Sequence, residues 1–265
     1  MRFTLRSLIT LVILAALLAA AYYFFITRGI SYIWHWESIP EMLFYYGPKS
    51  AEDPSVHLRM GILMIGFVMT LKISVVATFF AIIIGTVVGI ARLSTEPITR
   101  WISSAYVELI RNTPLLVQIY IIYFFAGSML RVSAFAAGTA ALAIFAGAYV
   151  GEIVRAGIQS IDRGQMEAAR SLGMSYAQAM RHIILPQAFK RIIPPLAGQF
   201  ISLIKDSSLV SVIALADLMF QGQQAVARTY YAFEIYFTVA ALYLVLTFTF
   251  SMATQFIERR LRISD

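Results

Sequence analysis

Between residues 65 and 90 the only charged side chain is Lys72. A run of this length exceeds the roughly 20 apolar residues that cross about 30 Å of hydrocarbon. No water is available there to satisfy backbone N–H and C=O groups, so such a run must close its own hydrogen bonds as a helix. Five further segments share this character: residues 8–25, 105–129, 132–151, 196–220 and 235–256. The composition agrees, with 60% hydrophobic and 13% charged residues and a mean hydropathy of +0.76, well above ordinary soluble usage. The expected fold is all-α: a polytopic membrane bundle of about six transmembrane helices.

The basic residues orient the bundle. With the N-terminus inside, Arg2, Arg6, Arg92, Arg100, Arg155, Arg163, Arg170, Arg181, Lys190, Arg191, Arg259, Arg260 and Arg262 lie on the cytoplasmic side. Only Arg28, Lys49, Arg59, Arg131 and Arg228 lie outside, and this asymmetry predicts cytoplasmic termini. It also accounts for the net charge of +7 without a nucleic-acid partner. There is no cysteine, and His35, His57 and His182 are scattered, so neither disulfides nor a metal site is expected.

The order "MRFTLR", apolar run, "LAAAYY" also fits a signal peptide. An anchor is the better reading, because the run at 8–25 exceeds a usual signal core and ends on Tyr22, Tyr23, Phe24 and Phe25, an interfacial belt. The external stretch containing "YIWHWESIPEMLFYYGP" is either an interfacial segment or a plain connection. The chain thus divides into residues 1–60, an N-terminal span with its external segment, and a membrane domain at 61–265.

Residues 155–195 are too polar to cross a membrane and too regular for a disordered tail. "GQMEAARSL" is built of helix formers, and Gly173 follows where a left-handed residue ends a helix. Ser175 offers an N-cap, and Tyr176, Met180, Ile183 and Ile184 form an apolar stripe on a second helix that Pro186 ends or bends. Such a helix–turn–helix either packs on its own spans or docks a soluble partner.

The pattern E-A-A, x3, G, x9, I, x, L, P is met by Glu167, Ala168, Ala169, Gly173, Ile183, Leu185 and Pro186. It resembles the coupling loop of importer-type ATP-binding cassette (ABC) permeases. "YVELIRNTPLLVQIYIIYFF", "AYVGEIVRAGIQSIDRGQMEAARSLG" and "LIKDSSLVSVIALADL" resemble the polar amino acid permeases among them, over about residues 70–261. The resemblance implies a bacterial inner-membrane subunit, not itself an enzyme, that moves a polar amino acid. It implies as partners an ATPase subunit seated on the cytoplasmic coupling-helix loop, a second permease subunit, identical or homologous, and an external solute-binding protein. The chain has no G-x-x-x-x-G-K-[ST] phosphate cradle, so no nucleotide or other cofactor is expected on it. Family members often have five spans, and the span at 8–25 departs from that.

Charges within reach of the membrane are costly and should face a pathway or one another. Glu108 with Arg111 and Glu152 with Arg155 are spaced i, i+3, and Lys205 with Asp206 fall within the fifth segment. All six are candidate pathway residues, with internal pairing or snorkelling as the alternative. Pro194-Pro195 offers a break before that segment. Competing functions are a permease for another small solute, an ATP-independent transporter, disfavoured because no interrupted spans are evident, and an intramembrane enzyme, disfavoured by the scattered histidines.

Overall fold

A computed structural model describes residues 12–13, 15–17, 19–20, 22–23, 32–48 and 56–261. The chain forms two compact units, Met1–His35 and Trp36–Asp265. In the first, the nine described residues between 12 and 23 are helical; the rest of the span expected at 8–25 lies outside the described residues.

The second unit opens with the short helix α1 (Ile39–Leu43) and a two-stranded antiparallel hairpin, β1 (Phe44–Pro48) with β2 (Val56–Met60). Helices α2 (Ile62–Ala91), α3 (Pro97–Arg111), α4 (Leu115–Ile121), α5 (Gly127–Leu130) and α6 (Ala134–Gln159) follow. Then come α7 (Arg163–Ser171), α8 (Tyr176–Ala179), α9 (Leu185–Asp206), α10 (Leu218–Thr229) and α11 (Ala232–Leu261). Four described helical stretches are long and apolar enough to cross a membrane: Ile62–Ala91, Ala134–Gln159, Tyr176–Ile213 and Ala232–Phe256.

The α2–α6 pair is the centre of the bundle, and small residues set its spacing. Gly85 and Gly89 of α2 face Gly147 and Gly151 of α6, a small-x-x-x-small pattern on both partners. A Cβ on Gly85 would stand 2.4 Å from Val150 Cβ, and one on Gly89 would stand 2.7 Å from the carbonyl oxygen of Gly151. Only hydrogen fits at those points. Around this seam Ile73, Ala77, Ala81, Leu142, Ala146, Val150 and Val154 are buried, in the same apolar cluster as Ile119 of α4 and Leu203 of α9.

The expected third span, 105–129, is built in pieces. Amphipathic α3 starts at Pro97, capped by the Glu96 carboxylate on the N–H groups of Ile98 and Thr99, and Tyr106 Oη donates to Ile144 O at 2.6 Å. Pro114 then leaves the carbonyl of Ile110 without its helical donor. The buried Gln118 supplies one, since its Nε2 donates to Ile110 O at 2.8 Å and to Thr113 O at 3.0 Å. Beyond the proline the described chain is helical from Leu115 to Leu130, through a π-turn at Ile122–Ala126, with Leu115–Phe125 its apolar part.

The fifth segment differs more. Pro186, Pro194 and Pro195 do not end a helix: Tyr176–Ile213 is continuously helical. A π-turn at Met180–Ile184 precedes Pro186, with Leu185 N–H bonded to Met180 O; widening the helix there makes room for the ring. The helix then tightens to a 3-10 stretch, Ser207–Ile213, and stops at Ala214 with φ +57°. The spans are therefore interrupted after all, at 112–114 and 214–217, so the absence of broken spans does not argue against a secondary transporter.

At the second break Asp217 is fully buried and caps α10, its Oδ1 accepting from Phe220 N at 2.9 Å. Thr70 Oγ1 accepts from Leu218 N at 3.0 Å, tying α10 to α2, where Gly66 leaves room for the α10 backbone.

Candidate functional site

The segment 155–195 is held by one face and exposes the other. Asp162 caps α7 through Gly164 N at 2.7 Å. The helix ends in a Schellman turn: Met174 N donates to Ala169 O at 3.2 Å, and Gly173 N donates to Arg170 O at 3.0 Å. Gly173 has φ +84°, and no heavy atom lies within 4 Å of where its Cβ would stand. Its requirement is conformational alone. Ser175 and Gln178 form a reciprocal capping box, Ser175 N to Gln178 Oε1 at 2.8 Å and Gln178 N to Ser175 Oγ at 3.2 Å.

Ala169, Ala179, Ile184, Ala188 and Ile192 are buried, and Ile161, Ile184, Ala188 and Ile192 belong to the same apolar cluster as the α2–α6 seam. Of the seven patterned residues, Ala169 is buried, Ile183 and Leu185 are half-buried, and Glu167, Ala168, Gly173 and Pro186 face outward. The expected stripe is displaced: Met180, Ile183 and Ile184 pack inward, but Tyr176 is 64% exposed, because the π-turn between it and Ile184 rotates the register. Leu172 is 84% exposed beside it. Leu172, Gly173, Met174, Gln178 and His182 line an open recess of about 360 Å³. Arg191 donates to Ser160 O, fastening α9 to the end of α6.

The six candidate charges separate into three situations. Glu152 forms ion pairs with Arg155 and also with Arg92, at the C-cap of α2, so one carboxylate joins the ends of α2 and α6. Arg92 was not anticipated; it lies sixty residues away in sequence and only the helix pairing brings it near. Glu108 and Arg111 are not an ion pair: Asn112 Nδ2 donates to Glu108 Oε2 at 3.2 Å, and the Arg111 guanidinium lies 5.2 Å from the Tyr149 ring centroid. Lys205 is exposed and Asp206 half-buried at the end of α9, without a salt bridge between them. Lys72, in mid-span, lies 5.3 Å over the Phe135 ring. Among the described residues no cluster of three His, Cys, Asp or Glu could hold a metal.

A family model described as "Binding-protein-dependent transport system inner membrane component" matches residues 77–263. The chain belongs to that family. Similar curated proteins include the "Probable glutamine ABC transporter permease protein GlnM" of Bacillus subtilis, 46% identical over 202 residues, covering 76% of this chain and 94% of that protein. The "Glutamine transport system permease protein GlnP" of Escherichia coli is 40% identical over 205 residues, covering 76% and 94%. The "Arginine transport system permease protein ArtQ" of B. subtilis is 39% identical over 202 residues, covering 76% and 92%. Among solved structures, one described as "Crystal structure of an amino acid ABC transporter with histidines" matches with TM-score 0.71 and 45% identity, covering 75% of this chain and 94% of that one. An inward-facing methionine transporter, MetNI, is 23% identical with TM-score 0.66 and shares the fold. This family member is therefore a multi-pass membrane permease, and about a quarter of its length lies outside the match to those relatives.

Proposed function

We propose that this chain is the membrane subunit of an ABC importer for a polar amino acid, with the ATPase on a separate subunit that docks on residues 155–195. The observation that carries the reading is the continuity of helix from Tyr176 to Ile213. A force applied at the exposed Leu172–Tyr176 turn reaches mid-membrane along one rod, while Ala169, Ile184 and Ala188 hold that rod's base against the bundle. Glu167, Ala168, Gly173, Ile183, Leu185 and Pro186 shape the docking surface together with Ala169.

The similar proteins are named for glutamine, arginine and cystine, all amino acids with an ammonium and a carboxylate to be met on the path. Burying either group unpaired is costly. Lys205 and Asp206 are the strongest pathway candidates, because Glu152 is engaged with both Arg92 and Arg155, and Arg111 lies on Tyr149. Glu108 and Arg111 stay secondary candidates. A second permease subunit, identical or homologous, would complete the path, and a solute-binding protein would feed it from outside. Both termini are cytoplasmic in this reading, residues 61–265 form the transport domain, and 1–60 are an accessory.

The test is uptake by the reconstituted complex. Asp206→Asn or Lys205→Met is expected to lower amino-acid uptake far more than basal ATP hydrolysis, and competition by each common amino acid identifies the substrate. Uptake blocked only by sugars or metal ions would overturn the class.

A further inference from the structure

The hairpin that precedes α2 lies before the stretch matched by the family model. Its register sorts its side chains. Phe44 pairs with Met60 and Tyr46 with Leu58, and Val56 lies two residues before Leu58, so these five share one face. All five are exposed, from 44% for Phe44 to 74% for Tyr46. The opposite face carries Tyr45 paired with Arg59, whose guanidinium lies 5.9 Å from the Tyr45 ring centroid, and Gly47 paired with His57.

An uncovered two-stranded ribbon is marginal in water, and a wholly apolar exposed face calls for a cover. Two observations say what covers it. Gly61 N donates to Leu43 O at 2.7 Å, and Ile39, Met42 and Leu43 pack with Leu63, Leu218, Ile235 and Val239, so the hairpin is clamped to the ends of α2 and α11. At 30 residues α2 is about 45 Å long, longer than the hydrocarbon core, so its first turn reaches headgroup level. Its exposed Ile65 and Val68 continue the apolar surface into the membrane from there. We propose that the β1–β2 hairpin is a membrane-interface anchor, with Phe44, Tyr46, Val56, Leu58 and Met60 in the acyl–headgroup boundary and Arg59 and His57 toward phosphate and water. The two aromatics on this exposed apolar face, Phe44 and Tyr46, suit that boundary. The inference is independent of the transported substrate.

The chain has no cysteine, so Tyr46→Cys, Leu58→Cys and His57→Cys can each carry a nitroxide in the full-length chain. Ile65→Cys serves as a lipid-facing reference. In phosphatidylcholine–phosphatidylglycerol vesicles, labels at 46 and 58 are expected to match 65 in oxygen collisions and to collide with an aqueous nickel complex several-fold less than the label at 57. Equal nickel access on both faces would overturn the proposal. So would immobilised labels at 46 and 58 shielded from both oxygen and nickel, which would mean a protein cover, whether a second copy or a soluble partner.

Discussion

Glycine does opposite work in the α2–α6 seam and in the turn at 173. Gly85 is needed for what surrounds it, since any Cβ would overlap Val150; Gly173 is needed for its own backbone, with nothing nearby. The seam is a fixed joint in which every atom of added volume is felt. The turn is an exposed corner where shape matters and volume does not. The proposed transmission of a push from a docked ATPase would use both, a rigid seam and an exposed corner.

Breaking the seam should have the largest effect. Gly85→Ala forces a methyl into Val150 and the Gly147 carbonyl, and overpacking of this kind costs about 1–3 kcal/mol or more. Lower yield and a reduced Tm of the detergent-purified chain would show it. Combining Gly85→Ala with Val150→Ala should recover part of the loss, and the same recovery tested at Val154 should be smaller.

At the corner the expected pattern is reversed. Gly173→Val places a β-branched side chain at positive φ, worth about 1–2 kcal/mol of local strain. Membrane abundance should hold while uptake falls at least several-fold, and Gly173→Asn should retain more uptake than Gly173→Val. Full uptake by the valine variant would remove the coupling role from this turn.

Between the two regions stands Glu152. Glu152→Gln leaves Arg92 and Arg155 without their shared carboxylate. For partly exposed ion pairs a loss of about 1 kcal/mol is expected, read as a lowered Tm that the additional change Arg92→Gln partly offsets.

The smallest effect is electrostatic. The backbone N–H of Thr99, followed by its side chain and the N–H of Ile98, holds the exposed Glu96 carboxyl below its ordinary value near 4.5. A depressed folded-state value stabilises the chain above the unfolded value, and this is lost as pH falls through the folded one. Glu96→Gln should therefore have the lower Tm at neutral pH and converge with the parent once the pH falls below the depressed folded-state value.

The comparison also explains what could be read from sequence. Long apolar runs, the Gly173 turn and the Ser175 cap are local, so periodicity and turn chemistry reveal them. The Arg92–Glu152 pair and the Leu218–Thr70 junction depend on helices meeting across many residues, and the Gln118 donor that serves Ile110 O reaches back over the Pro114 break; no local pattern marks them. Prolines misled in one direction: Pro186, Pro194 and Pro195 read as breaks, yet a π-turn and the neighbouring helices accommodate them. At residues 112–114 the proline is itself a local signal of a kink, and the helix breaks there outright between Arg111 and Leu115. The two halves of GTVVG and GAYVG read only as apolar sequence until their spacing is set against one another.

The docking claim is tested most directly by proximity. Single cysteines placed at Leu172 and at Tyr176, in a chain that has none of its own, would be joined by a short bifunctional reagent to a cysteine-bearing ATPase subunit in native membranes. Crosslinks at 172 and 176, with none at the buried Ala179 or at Tyr46 of the hairpin, are predicted. Equal crosslinking at Tyr46, or none at 172 and 176 in a complex that still transports, would contradict the account.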